Sequence, residues 1–362
     1  MIHLPRHTSR AFTRCVWAFI ALALMPALAA CGPPAHEDSL SAACTSDGRA
    51  LHVGFYAFFE PVSHSADPDP NAPGFQEHRG YEADLLTALE TMDGAGLAFA
   101  RHPIQPWDDI WLTPTGDDID MVGGGITILD SRTRNAAGAQ VVRFTSGHIT
   151  FRQSLLVRAG QADRFSSYDR LTSRHRVGAL AGTTGEARLL ELTGLVDSAG
   201  VLAAGTRVHT RSGMVIADGS AAYGITAASV SPGLEGRQRL EPPAPDMPQV
   251  IYLGEESGEM ELLQALRDGR IDALARGEIG NRDAVHASGD AFEIAALDAE
   301  VEHGGFALAA DAGELAACID AKINWLTDNR RIGYAEWRTD PSVFLRRAES
   351  WRPQASGERQ QP

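Results

Sequence analysis

The 362-residue sequence sets 32 Lys and Arg against 47 Asp and Glu, a formal net charge of −15. That acidic balance argues against nucleic acid as a partner, since phosphate recognition needs clustered cations. The length suits two domains of ordinary size. All but one of the cations are Arg, the exception being Lys322, so an isolated Arg carries little information here.

In chain order, the first feature is an export signal. Arg6, Arg10 and Arg14 precede the apolar run "CVWAFIALALMPALAA", which is too short to span a bilayer and is broken by Pro26. Residues 1–30 are therefore expected to be removed. Leu28-Ala29-Ala30-Cys31 resembles a bacterial lipobox, in which cleavage precedes the cysteine and its thiol is acylated. Each buried methylene contributes about 0.8 kcal/mol, so several acyl chains at Cys31 would hold the protein to a membrane. The mature chain would have 362 − 30 = 332 residues and a charge near 29 − 47 = −18, because three arginines and no acids are lost. Residues 31–45 read as a polar, Pro-containing tether. No later stretch is long and apolar enough to cross a membrane.

Two cysteines then remain, Cys44 and Cys318. In an exported protein they are either a disulfide or two buried thiols, and spacing alone does not decide between them.

"ALHVGFY" (50–56) reads as a buried strand, "DPDPNAPG" (67–74) as a hairpin tip, and "GYEADLLTALETM" (80–92) as an amphipathic helix through Leu85, Leu86, Leu89 and Met92. "GLAFARHPI", "WDDIWLTP" and "DIDMVGGG" continue as strand, short helix and strand. This alternation implies a parallel sheet with helical crossovers. "QSLLVRAG" (153–160), "RVGALAGTTGEARLLELTG" (176–194) and "EMELLQALRDGRIDALARGE" (259–278) form a second α/β unit. Residues 205–248 are poor in pattern and rich in Gly, Ala and Pro, and read as an inserted surface loop. The chain is expected to end in helices. It contains no HExxH, GxSxG, P-loop, GxGxxG or Cys/His cluster, so no cofactor or metal is expected.

The order of these segments resembles the extracellular solute-binding proteins of family 3, the polar amino-acid receptors of ABC importers. The resemblance rests on "LHVGFYAFFEPVS", "GYEADLLTALE", "DDIDMVGGGITILDSRTRN", "RVGALAGTTGEA", "LLQALRDGRIDAL" and "GGFALAADAGELAACIDAKINWL", and covers about 50–200 and 250–340. It implies an α/β periplasmic binding protein fold. Two lobes, each a mostly parallel sheet flanked by helices, would be joined by two crossover strands. Lobe one would comprise 46–152 and 304–362, and lobe two 153–303.

The resemblance also implies a site. Arg132 falls where relatives grip a ligand carboxylate, for which a guanidinium fork is well matched. Thr127 would add a hydroxyl and an N–H, and Gly125 a backbone N–H. Thr184, at the start of a helix, would add the donors that helix N-termini present to anions. Thr183 and Glu186 have capping-box spacing. Trp107 and Phe59 fall on the rings that pack against the ligand side chain. Tyr56 stands at a position that is acidic in receptors for basic amino acids, which weakens a lysine or arginine reading.

One departure stands out. The aspartate that relatives carry five residues after Asp272, and use for the ligand's α-ammonium, is Gly277 here, followed by Glu278. Either Glu278 takes over through a one-residue slip, or the ligand lacks a conventional α-amine. The reading is a monomeric, lipid-anchored receptor at the periplasm or cell surface. It would hand a small carboxylate-bearing solute to an ABC permease. Two other classes remain: an enzyme resembling cyclohexadienyl dehydratases, with Glu278 or His148 as the acid, and a sensory or scaffold protein whose cleft has decayed.

Overall fold

The computed structural model describes residues 43–254 and 258–352, so the signal segment and Cys31 lie outside the described residues. Two mixed sheets organise them. The first orders its strands Phe99–Ile104, Leu51–Tyr56, Met121–Gly123, Ala307–Ala309 and Val142–Phe144. Leu51–Tyr56 runs parallel to both of its neighbours, whereas Ala307–Ala309 runs antiparallel to both of its own. Leu51, Val53 and Phe55, which share one face, are fully buried, and on the other face Gly54 and Tyr56 are buried while His52 is exposed.

The second sheet has eight strands, in the order Gly213–Ile216, Arg207–Thr210, Arg237–Glu241, Gln249–Tyr252, Arg176–Ala179, Ala273–Gly277, Gln153–Arg158 and Phe292–Leu297. Only the pairs made by Arg176–Ala179 are parallel. The expectation of a mostly parallel sheet thus fails for this one. Its return strand, Gln153–Arg158, runs against both neighbours, and three further antiparallel strands extend the other edge.

Those three strands correct the reading of 205–248 as a surface loop. Arg207–Thr210 and Gly213–Ile216 form a hairpin, and Arg237–Glu241 joins it to the sheet. Short strands broken by Gly and Pro leave too little periodicity to be read from sequence. Glu186, on the helix Thr184–Leu192, fixes the extension to the lobe. Its Oε1 accepts from Arg237 Nε at 2.9 Å and its Oε2 from Arg237 Nη2 at 2.7 Å, with both side chains buried.

The sheets are linked by two strands, Ile149–Phe151 and Glu302–Gly304, which pair antiparallel with each other. The chain leaves the first sheet along one and returns along the other. The helix Tyr81–Thr91 covers the first sheet, with Leu85, Leu86, Leu89 and Met92 all on its buried side. Gly80 precedes it at φ 104°, and a Cβ there would lie 2.6 Å from the Pro61 carbonyl. The stretch around 107–115 is a 3-10 helix, Ile110–Thr115, rather than an α-helix, because Pro114 removes a donor and Asp109 enters in the left-handed region. The chain's last described elements are the helices Gly313–Leu326, Tyr334–Thr339 and Val343–Ser350. No helix among the described residues is long and apolar enough to cross a membrane.

Cys44 and Cys318 are joined in a disulfide, with their Cα atoms 5.5 Å apart and a separation of 274 positions in sequence. It ties the approach to the first strand to the helix Gly313–Leu326. One turn further along that helix lies the buried Lys322, whose ammonium donates to Cys318 Sγ at 3.2 Å and which burial pushes down to about 8.

Two stability effects are expected. Reducing the disulfide should cost about 5 kcal/mol, the scale for cross-linking so long a loop, read as the shift between oxidised and reduced urea titrations. Arg237→Met should cost about 3–5 kcal/mol, because it leaves the Glu186 carboxylate buried without its partner. The double variant Arg237→Met, Glu186→Gln should recover much of that loss. Equal losses in the single and double variants would show that the pair is not what holds the extension.

Candidate functional site

A cavity of about 50 Å³ lies between the two sheets. At roughly 10–15 Å³ of accessible space per water, it has room for only a few water-sized groups. The first sheet and its loops contribute Tyr56, Phe59, Trp107, Gly125 and Thr127, and Phe151 comes from a linking strand. The second contributes Gln153, Thr183, Thr184, Glu259, Arg276 and Gly277, with Leu180 and Leu262 as apolar walls.

The Gly182-Thr183-Thr184 turn follows the strand Arg176–Ala179 and opens a helix. Thr183 caps that helix by accepting the Glu186 N–H at 3.1 Å, and Glu186 Oε2 accepts the Gly182 N–H at 2.7 Å. The two residues thus use the capping-box spacing to hold the turn rigid, and the Glu186–Arg237 pair anchors it from behind. The turn meets the opposite lobe directly. Trp107 Nε1 donates to the Gly182 carbonyl at 3.0 Å, and the Thr127 and Thr184 hydroxyls lie 3.3 Å apart.

A buried polar network ties this meeting point to the linking strands. Glu302 Oε2 accepts from Thr127 Oγ1 at 2.8 Å, and its Oε1 accepts from Gln153 Nε2 at 2.9 Å. Gln153 Nε2 also donates to Thr184 Oγ1 at 2.9 Å, while Gln153 Oε1 is buried without a hydrogen-bond partner. On the far wall Arg276 Nη1 donates to Glu259 Oε2 at 2.5 Å. Burial raises the Glu259 pKa, and Arg276 opposes the rise. Tyr56, buried and near Glu259 and Asp108, has its pKa raised by burial first and by those charges second. Its ring meets Trp107 edge-on, with centroids 5.0 Å apart.

Of the residues singled out in the sequence, Tyr56, Phe59, Trp107, Gly125, Thr127 and Thr184 all line the cavity. Two of their expected roles change in detail. The Gly125 N–H is taken by Glu82 Oε1 at 3.0 Å, and the Phe59 ring fills the space above Gly125, where a Cβ would come within 2.6 Å. That packing explains why no serine or threonine stands there.

Arg132 is fully buried but does not line the cavity. Its Nη1 donates to the Thr127 carbonyl at 3.2 Å, its Nη2 to Gly182 at 3.1 Å, and its Nε and Nη2 to Ala227 at 3.1 and 2.9 Å. Its guanidinium carbon lies 4.4 Å from the Trp111 ring centroid. Burial pushes Arg132 down to about 9, against the pull of Glu302 and Asp109.

Glu278 is a correction. The strand ends at Gly277 with an ordinary φ of −54°, so no slip occurs. Gly277 faces the cavity, and Glu278 begins the helix Glu278–Ala287, where its Oε1 accepts from Arg282 Nε at 2.6 Å. Strand parity turns neighbouring residues to opposite faces. His148 likewise stays out of the cavity: it is buried in the first lobe, 3.1 Å from Glu82 Oε1 and stacked on Phe306. Gln153, Glu302, Glu259 and Arg276 were missed.

No protein-family model matches the chain. A curated relative, described as a probable histidine-binding protein of Neisseria gonorrhoeae, is 31 % identical over 179 residues, which are 49 % of this chain and 59 % of that protein. The match thus spans less than two thirds of the relative's length. Among solved structures, the amino acid ABC transporter substrate-binding protein AbpA from Streptococcus pneumoniae, bound to L-arginine, aligns with a TM-score of 0.54 at 16 % identity, covering 84 % of this chain and 97 % of that one. Holo ArgBP from T. maritima aligns with a TM-score of 0.51 at 18 % identity, covering 80 % and 96 %. The architecture is therefore the α/β periplasmic binding protein fold of type II, with two lobes, two mixed sheets and a cleft between them.

Proposed function

We propose that this protein is the solute-binding component of an amino-acid ABC importer, receiving a small amino acid or derivative between its lobes and presenting the closed form to a membrane permease. The observation that carries this reading is the cavity walled from both lobes and bridged by Trp107–Gly182 and Thr127–Thr184. A solute touching both walls stabilises closure by its differential contacts, and the paired linking strands are the natural hinge. The names of the relative and of the aligned structures support amino acids as the solute class. In this reading Thr127, Thr184, Trp107, Phe59 and Tyr56 contact the solute, with Gly125 making room for the Phe59 ring. Arg276 and Glu259 supply one charge of each sign. Trp107 and Leu180 also line a separate groove of about 540 Å³. Binding is preferred to catalysis, because Glu278 and His148, the acids that the dehydratase reading required, lie outside the cavity.

The same reading keeps the protein exported and held at the periplasm or cell surface by a lipid on Cys31, acting as a monomer. Cys31→Ser should release it from membranes or leave it unprocessed. A variant that still fractionates as a processed membrane protein would remove the anchor from the account.

Solute binding is tested by a thermal-shift and calorimetric screen of the natural amino acids, histidine, arginine and glutamine among them. A true ligand at a hundred times its Kd should stabilise the fold by about 2.7 kcal/mol. Trp107→Ala should weaken that ligand at least tenfold while leaving the unliganded melting temperature within a few degrees. A screen in which no amino acid or derivative shifts the melting temperature would overturn the proposal.

A further inference from the structure

We infer that the chain supplies its own occupant for Arg132: the Ala227 carbonyl, on a turn of the 205–248 segment, takes the guanidinium fork and latches the two lobes together. The inference rests on the receptor reading above, and it names what governs access to that receptor's charged anchor.

The geometry is specific. Nε and Nη2 of Arg132 converge on one oxygen, at 3.1 and 2.9 Å, as they would on a carboxylate oxygen. Arg132 belongs to the first lobe, whereas Ala227 and Gly182 belong to the second, so these bonds join the lobes. The turn that carries Ala227 is rigid. Ile225 bridges Val230, Thr226 N–H donates to Ser229 O at 2.9 Å, and Thr226 Oγ1 accepts from the N–H groups of Ala228 and Ser229. Its base is set in the core of the second lobe through Ile225 and Leu234, while Ala228 packs against a cluster that draws residues from both lobes. Ala227 itself is buried. A turn seated in one lobe thus inserts its tip into the other, at the one guanidinium that the sequence pattern marks for a carboxylate.

Two consequences follow. The lobes are held closed by protein–protein bonds, so closure does not require a solute. A carboxylate can take the Nε–Nη2 edge of Arg132 only by displacing the Ala227 carbonyl, so solutes recognised through other groups enter the cavity at an advantage. The turn, more than the cavity wall, then determines which solutes bind.

The test shortens the turn in the full chain by deleting Ala227 and Ala228, with Thr226→Asn and Ser229→Gly supplying a two-residue hairpin turn between Ile225 and Val230. Arg132→Met breaks the same bonds from the other side and stands in if the shortened turn does not fold. Small-angle scattering without added solute should give a larger radius of gyration for both variants than for the wild type. In calorimetry, L-arginine, L-histidine and L-glutamine are compared with agmatine, histamine and 4-aminobutyramide, their carboxylate-free counterparts. The shortened turn should tighten the carboxylate-bearing member of a bound pair at least tenfold and change its counterpart less than twofold. Arg132→Met in the shortened background should abolish that gain. Identical radii in wild type and variants, or no selective gain for carboxylates, would overturn the inference. A panel with no binder in any variant would sink the receptor reading instead, and the scattering comparison would still decide the latch.

Discussion

The carboxylate of Glu186 is the point on which the site's geometry depends. It accepts three charge-relevant bonds at once, from Gly182 N–H and from two nitrogens of Arg237, while its own backbone N–H is capped by Thr183. Through Gly182 it fixes the carbonyl that receives both Trp107 and Arg132. Through the helix start it sets Thr184 against Thr127. Through Arg237 it fastens the added strands, between which lies the turn that reaches Arg132. A buried carboxylate is costly unless fully bonded. Here the cost is offset by a guanidinium and an amide that would otherwise be buried and unpaired themselves, so each group makes the others tolerable.

That arrangement explains how the two lobes can be separate in sheet structure yet continuous in polar bonding. The linking strands carry Glu302, whose two oxygens reach Thr127 on one side and Gln153 on the other. A carboxylate at the hinge therefore reads the position of both lobes. If the lobes part, Glu302 must exchange at least one protein donor for water. In the low dielectric of a closed cleft such charge-assisted bonds are strong, and they weaken as water enters. Opening is thus coupled to wetting of the hinge as well as to loss of the cross-cleft contacts.

Much of the fold was legible because its central strands and first helix follow simple periodicities, as Leu51–Tyr56 and Leu85, Leu86 and Leu89 illustrate. The cavity-lining threonines and aromatics were found because their segments occur in a recognisable order. What escaped the sequence has definite physical causes. The strands at 207–241 are short, lie toward one side of the sheet with Gly213–Ile216 at its edge, and carry charged and half-exposed residues, so they lack the apolar run that marks a buried strand. Arg132 had the right chemistry, but its partner Ala227 is a backbone carbonyl almost a hundred residues away, and a carbonyl leaves no trace in residue identity. Glu278 was decided by strand parity, which the chain obeys at Gly277. Glu259 and Arg276 reach the cavity from a helix start and a strand end that only tertiary packing brings together.

The scarcity of lysine has a consequence for chemical probes. The only amine side chain in the sequence, Lys322, is enclosed beside the disulfide on the helix Gly313–Leu326. Acylating reagents, amine-directed dyes and lysine cross-linkers therefore find no exposed side chain to modify on the intact fold. Once the N-terminal amine is accounted for, any slow labelling of Lys322 would time the separation of that helix from the first sheet. Burial holds its pKa near 8, and uncovering the amine removes that shift, so labelling is followed at an alkaline pH where the exposed amine is partly deprotonated. The protein thus carries a single, silent amine that reports local unfolding of one lobe.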